Sequence, residues 1–206
     1  VGAAPSIGKS ALLIDLMRRA CISDTDDENP PCGILFTTEM TPKQICGRVW
    51  KPEINAEKAR FPLHDGIMAS HYRQAFKEKI NADRVHLKVV DATGKSIEWM
   101  RVQALQYSRM CNLKWIALDY AQNVHLDSKT AHTRAEAIGE MMETVRLMAK
   151  EMGVVFLLAS QLNRNSREAG KYPDNANLKD ASKFEEDAHV ILLMDNLRND
   201  EGEPLF

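Results

Sequence analysis

Short apolar runs alternate with helical patterns along almost the whole chain, and few folds can absorb that alternation. GILFTTEM (33–40), VHLKVVD (85–91), KWIALDY (114–120), GVVFLLAS (153–160) and HVILLM (189–194) read as strands, most of them apolar without interruption. Helical patterns lie between them. One begins KSALLIDLMRRAC at Lys9. A second opens with Thr41 as N-cap, Pro42 at the first helical position and Gln44 three residues after the cap, with Met40 and Ile45 placed for a hydrophobic staple. Others cover about 67–80, about 96–110 and 133–152, and a short one follows residue 177. In TRAEAIGEMMETVRLMAKEM, Ala135, Ile138, Met142, Val145, Ala149 and Met152 share one face at three-to-four spacing, so the methionines read as core. Residues 51–66 and the stretch to about 177 are loop-like. Strands buried on both sides and joined by helices predict an α/β fold: a mostly parallel, twisted sheet with helices on both faces. In such sheets ligands sit at the carboxyl ends of the strands.

The chain opens VGAAPSIGKS, directly before the first helix. This is the ending of a phosphate-cradling loop, G-x-x-x-x-G-K-[ST]. The backbone of Ala4, Pro5 (which has no N–H to give), Ser6, Ile7 and Gly8 would surround a polyphosphate, and the helix start adds partial positive charge. Lys9 would reach the β- and γ-phosphates and the Ser10 hydroxyl would hold Mg²⁺. The first glycine of the pattern is missing: Ala3 stands there, and Gly2 comes one place early. No strand pattern precedes the loop. A second Gly-Lys-Ser, Gly94-Lys95-Ser96, has Val89 at the first position, and there Thr93 or Ser96 is read as a helix cap.

Polar residues gather where the apolar runs stop. GILFTTEM leads to Glu39, WIALDY to Asp119 with Gln122 just beyond, and VVFLLASQLNR to Ser160, Gln161 and Arg164. Asp119 has the chemistry to hold the Mg²⁺ hydration shell beside Ser10, or simply to cap the next turn. Glu39 could polarise an attacking water, or be a solvated carboxylate facing the start of the helix from Pro42. Gln161 could bond a γ-phosphate, or satisfy loop backbone.

Composition sets limits. A length of 206 residues suits one domain over 1–206, which we expect to be cut short at both ends. The formal charge of -2 gives no global basic field, so nucleic-acid binding would need a local patch. Arg164, Arg167, Lys171, Lys179 and Lys183 form one, diluted by Glu168, Asp174, Asp180, Glu185 and Glu186. No apolar run is long enough to span a membrane, and the start has no secretory pattern. Cys21, Cys32, Cys46 and Cys111 are far apart without C-x-x-C, which predicts buried free thiols in a reducing cytoplasm.

Taken together, AAPSIGKS, TTEMTPKQICGRV, LDYAQNV, the helix end and loop AKEMGVVFLLASQLNRNSRE, and NLKDASKFEEDAHVILLM resemble, in order and spacing, the ATPase domain of the DnaB family of replicative hexameric DNA helicases, within the RecA-like P-loop fold. That family's loop often opens with Ala, which accounts for Ala3. The resemblance implies ATP and Mg²⁺ as cofactors. It implies Lys9 and Ser10 as phosphate and metal contacts, Glu39 as catalytic base, Asp119 on the metal side and Gln161 as phosphate sensor. It implies Lys179, Asp180 and Ser182 lining a ring channel that holds single-stranded DNA, a homo-hexameric full-length protein, and primase and loader as partners. The family usually carries glycine where Ser182 stands, and often arginine where Asn196 stands, with Arg198 a substitute. Its trans-acting Lys and Arg would follow the last strand, beyond Phe206, so the chain alone is expected to hydrolyse ATP poorly. Two other readings fit a Lys9-Ser10 site: a RecA-like recombinase or clock-type ATPase, and a nucleotide-switched assembly or loader module without hydrolysis.

Overall fold

The computed structural model describes residues 1–4, 7–22, 28–49, 85–126, 133–162, 174 and 181–195. The expected helix at 67–80 and the loop at 51–66 lie outside the described residues. Among the described residues seven strands are parallel wherever they pair: β1 (Gly2–Ala3), β2 (Pro31–Thr37), β3 (Leu87–Asp91), β4 (Asn112–Asp119), β5 (Val155–Leu158), β6 (Ser160–Gln161) and β7 (Leu193–Met194). Helices α1 (Lys9–Ala20), α2 (Pro42–Val49), α3 (Ile97–Ser108), α4 (Arg134–Met152) and α5 (Ala181–Asp187) connect them.

The strands form two hydrogen-bonded sets, β3-β2-β4-β5 and β6-β1-β7. One extended segment joins the sets. Up to Leu158 it pairs with β4, and the Ala159 N–H still donates to Leu118 O at 3.0 Å. From Ser160 it pairs with β1 instead: the Ser160 N–H donates to Val1 O at 2.8 Å and the Leu162 N–H to Ala3 O at 3.1 Å. The expected strand 153–160 is therefore two strands with a change of partner at Ala159. The loop at residue 3 does follow a strand, contrary to expectation. β1 is only two residues long, but it is paired on both sides. HVILLM forms strand only at Leu193–Met194, where it pairs with Gly2 and Ala3 of β1. Val190 is 74% exposed.

Alternation along the strands sorts side chains into two cores. Ile34 and Phe36 of β2, with Ile116 and Leu118 of β4, pack against Met100 and Ala104 of α3 and Ile138, Met141, Val145 and Met148 of α4. Leu35 and Ala117 point the other way, against Leu13, Ile14 and Met17 of α1 and Ile45 of α2. Both faces are thus covered, which is why the strands read as unbroken apolar runs. At Gly33 a Cβ would lie 2.5 Å from the Cys21 sulfur and 2.8 Å from the Met17 methyl, so glycine lets α1 lie close on β2.

Start signals in the sequence recur as hydrogen bonds. The Gln44 Oε1 accepts the Thr41 N–H at 2.9 Å, and the Gln44 N–H donates to Thr41 Oγ1 at 3.4 Å. Thr133 and Glu136 make a capping box at the head of α4. The buried stripe of α4 differs from the expected one. Ile138, Met142 and Val145 are buried, with Ala137, Met141 and Met148 beside them, while Ala135 is exposed and Ala149 and Met152 are half-buried. The helix touches α3, α5 and β5, and these neighbours set its buried face. Among the described residues no helix is long and apolar enough to cross a membrane.

Candidate nucleotide site

Because the strands are parallel, their carboxyl ends share one edge of the molecule. Register places Thr37 beside Asp119 on one side and Asp91 on the other, and Ala3 beside Gln161 and Met194. The start of the phosphate loop and the candidate sensor are therefore direct strand neighbours.

Gly8 is the N-cap of α1. Its φ of 104° is a left-handed conformation that glycine takes without strain, and a Cβ there would meet nothing within 4 Å. Among the described residues no side chain caps this helix start, and its first N–H groups lie at the positive end of the helix dipole, the combination an anion site uses. Ile7 and Ser10 are half-buried beside it and Ala4 is buried at the loop's start. Pro5 and Ser6 lie outside the described residues.

Lys9 is half-buried and its Nζ sits 4.3 Å from the centre of the Tyr120 ring. Burial pulls its pKa down, and the Asp119 and Glu39 carboxylates push the other way, with burial prevailing. Both carboxylates thus act on the same ammonium. Asp119 is only 1% exposed, and its Oδ1 is buried with no hydrogen-bond partner among the described residues. It does not cap the next turn: Tyr120 occupies the N-cap position of Ala121–Asn123, without a side-chain cap. A buried, unpaired carboxylate oxygen is costly unless a cation or donor completes it. With the Ser10 hydroxyl at the helix start, the donors are all oxygen, which suits a hard cation such as Mg²⁺. Glu39 is exposed on the turn after β2.

Three residues that hold the site together had no role assigned from sequence. The Thr38 N–H donates to Asp119 O at 2.9 Å. Its hydroxyl lies 3.1 Å from the same oxygen and 3.3 Å from Tyr120 O as donor, and accepts the Tyr120 N–H at 3.1 Å. Thr37 Oγ1 closes the turn by donating to Met40 O at 2.7 Å and accepting the Met40 N–H at 3.1 Å. Tyr120 supplies the ring under Lys9. The available signal was polar residues inside an otherwise apolar run, TT in GILFTTEM. Gln122, noted only for its position, bridges to β6. Its Nε2 donates to Ser160 Oγ at 2.8 Å and Gln161 O at 3.5 Å, and its Oε1 accepts the Gln161 N–H at 3.2 Å. It thereby satisfies the Gln161 backbone, the kind of task that the sequence left open for Gln161 itself.

The second Gly-Lys-Ser also joins a strand to a helix, but its turn is closed upon itself. The Thr93 N–H donates to Asp91 Oδ1, the Lys95 N–H to Ala92 O, and Ser96 Oγ accepts the Trp99 N–H as the cap of α3. The Lys95 ammonium lies over the Trp99 ring at 5.5 Å. An open cavity of about 510 Å³ lies at the other end of β4, against Asn29, Arg109 and Met152, away from every residue of the site.

Of the DNA-channel residues, Lys179 and Asp180 lie outside the described residues. Ser182 falls in α5, its side chain likewise outside them. Lys183 of the basic stretch is paired with Glu186 at 2.7 Å.

The family model of the DnaB-like helicase C-terminal domain matches residues 1–203. The chain belongs to that family. Curated relatives of this DnaB-like chain include the replicative DNA helicase DnaB of Leifsonia xyli subsp. xyli, 27% identical over 200 residues, covering 94% of the chain and 41% of the relative. The DnaB of Mycoplasma pneumoniae is 24% identical over 208 residues, with 98% and 43% covered. The chain therefore spans less than half the length of these relatives. Two solved structures share its fold. One is a DnaB-like replicative helicase studied with its interactions with primase, at TM-score 0.73 and 23% identity over 91% of this chain and 44% of that one. The other is an ATPase domain, at TM-score 0.73 and 23% identity over 93% and 66%. The DnaB-like chain is an α/β, RecA-like domain, as its sequence resemblance implied.

Proposed function

We propose that this chain is the motor domain of a replicative DNA helicase, coupling ATP hydrolysis to translocation on single-stranded DNA and duplex unwinding in a hexameric ring. The observation that carries this reading is the buried Asp119 Oδ1, without a hydrogen-bond partner among the described residues, whose carboxylate acts on Lys9 at a helix start that no described side chain caps. The α1 N-terminus and the loop through Ala4, Pro5, Ser6, Ile7 and Gly8 hold the polyphosphate, and Lys9 donates to its outer oxygens. Ser10 and Asp119 would hold Mg²⁺, which supplies charge neutralisation to the phosphates. Glu39 takes the proton of the attacking water, and its exposed position leaves it open to solvent from which that water comes. Gln161 senses the γ-phosphate from a strand registered against the loop's own strand.

Family membership and relatives that are replicative DNA helicases support the wider reading. Lys179, Asp180 and Ser182 contact the backbone of single-stranded DNA in a channel, without sequence preference. Six copies of the full-length protein close the ring in the cytoplasm, and primase and a loader are its partners. Glu39 acts on the Lys9 ammonium from the end of β2, and a carboxylate there favours a hydrolysing motor over a switch module, which has no use for a base.

Equilibrium binding of ATP with Mg²⁺ to this chain tests the site. Lys9→Ala should abolish binding or nearly so, and Lys95→Ala should leave it intact. Unchanged affinity in Lys9→Ala, or equal loss in both variants, would remove the assignment.

A further inference from the structure

The buried Asp119 carboxylate acts on the half-buried Lys9 ammonium, and the simplest expectation is an ion pair. None forms between them. The carboxylate oxygen Oδ1 keeps no hydrogen-bond partner among the described residues, and the ammonium instead lies 4.3 Å from the centre of the Tyr120 ring. An ammonium over an aromatic face is held by the ring's quadrupole, most firmly where water is partly excluded. Tyr120 is itself fixed. Its N–H donates to Thr38 Oγ1 at 3.1 Å, its carbonyl lies 3.3 Å from the same hydroxyl, and its ring packs against the core that holds α1 and α2. Thr38 also bonds the Asp119 carbonyl through N and Oγ1. One buried threonine thus sets the spacing between the ring that takes the lysine and the carboxylate that does not.

We infer that Tyr120 is a positioning residue that holds the Lys9 ammonium on its ring and off the Asp119 carboxylate, leaving Oδ1 open to a divalent cation. This inference rests on the nucleotide-site reading above. Without the ring, the ammonium would settle on Asp119 and compete with the metal for it. The lysine would still be available to phosphate, so the deficit should appear in what the metal adds, not in nucleotide binding as a whole.

Two measurements on this chain test it. The first needs no nucleotide. In an NMR spectrum the Lys9 ε-methylene, identified by its loss in Lys9→Arg, should be shifted upfield by the Tyr120 ring current. Tyr120→Phe should retain the shift and Tyr120→Leu should lose it. An ordinary lysine shift in the wild-type chain would overturn the inference, even if Tyr120→Leu fails to fold. The second compares ATP affinity with Mg²⁺ and with EDTA. The ratio of the two should fall roughly two- to fivefold in Tyr120→Leu, the worth of such a contact, and hold in Tyr120→Phe. A ring that merely supports the fold would weaken both affinities alike and leave the ratio unchanged, which would overturn the inference. Absence of ATP binding by the wild-type chain would instead bring down the nucleotide-site reading and the metal half of this inference, while the ring-current shift still decides the contact.

Discussion

A buried threonine hydroxyl that accepts an N–H from a neighbouring segment cannot be removed without costing that N–H its partner. Thr38, 6% exposed, is in that position. Thr38→Val keeps the shape and loses the hydroxyl, and should cost about 1–3 kcal/mol in urea unfolding, with weaker nucleotide binding because the Asp119 and Tyr120 backbone loosens. A variant as stable as wild type would mean that the hydrogen bonds are incidental. Thr38 was not legible in the sequence because a threonine at a strand end is ordinary, and only its partner strand reveals what the hydroxyl bonds. The positions of Asp119 and Lys9 were legible, since one follows an apolar run and the other opens a helix. A different residue sets a pH response. Burial, with the Cys111 sulfur adding to it, pushes the fully buried Cys21 thiol up to about 12 from an ordinary 9.0. Below pH 9 the thiol is protonated folded or unfolded, and its contribution is fully present. Between 9 and 12 the unfolded chain sheds a proton that the folded one keeps, so stability falls as pH rises. The urea midpoint should therefore drop as pH rises from about 9 toward 12, and Cys21→Ala should flatten part of that drop. Tyr107, raised by burial, contributes in the same direction and keeps some slope. An identical slope in Cys21→Ala would refute the assignment.

The elements were largely legible because capping and burial are local. Thr41, Pro42 and Gln44 announced α2, Thr93 or Ser96 was expected to cap α3 and Ser96 does, and the apolar runs announced β2 and β4. What escaped was set by neighbours. The stripe of α4 moved to include Met141 and Met148 because three elements pack on it. β1 was invisible because two residues carry no periodicity. The break at Ala159 is a change of hydrogen-bond partner inside a run whose composition does not change. The start of α4 offers a clean test of local energetics. Thr133 Oγ1 accepts the Glu136 N–H at 3.2 Å, and Glu136 returns the bond to the Thr133 N–H, also at 3.2 Å. Thr133→Ala should destabilise the chain by about 1 kcal/mol, read from urea unfolding, with Thr133→Ser close to wild type. Arg134, the first helical residue, donates to Gln122 O at 3.0 Å, so fraying of this cap should also be felt at the segment that grips β6.

At the scale of the whole molecule, binding and chemistry should separate. In an assembled ring of the full-length protein, Glu39→Gln should leave ATP affinity within a few-fold and cut turnover by roughly 10²–10⁴, the usual worth of a placed base. Near wild-type turnover would reduce Glu39 to a strand-end carboxylate. Affinity should survive because, on the proposed reading, phosphate is held elsewhere, by α1 and Lys9, and the geography of that hold follows from the change of partner at Ala159. The loop that carries Lys9 leaves β1, in one set of strands, and Asp119 ends β4, in the other. A single extended segment stitches these sets, and the nucleotide would lie directly across the stitch, touching a group on each side. A ligand there would act as a further suture. Filling the site would fasten the same two halves that the backbone joins at Ala159 and that Gln122 bridges to β6, so a bound nucleotide and the fold's internal cohesion would be drawn along one line.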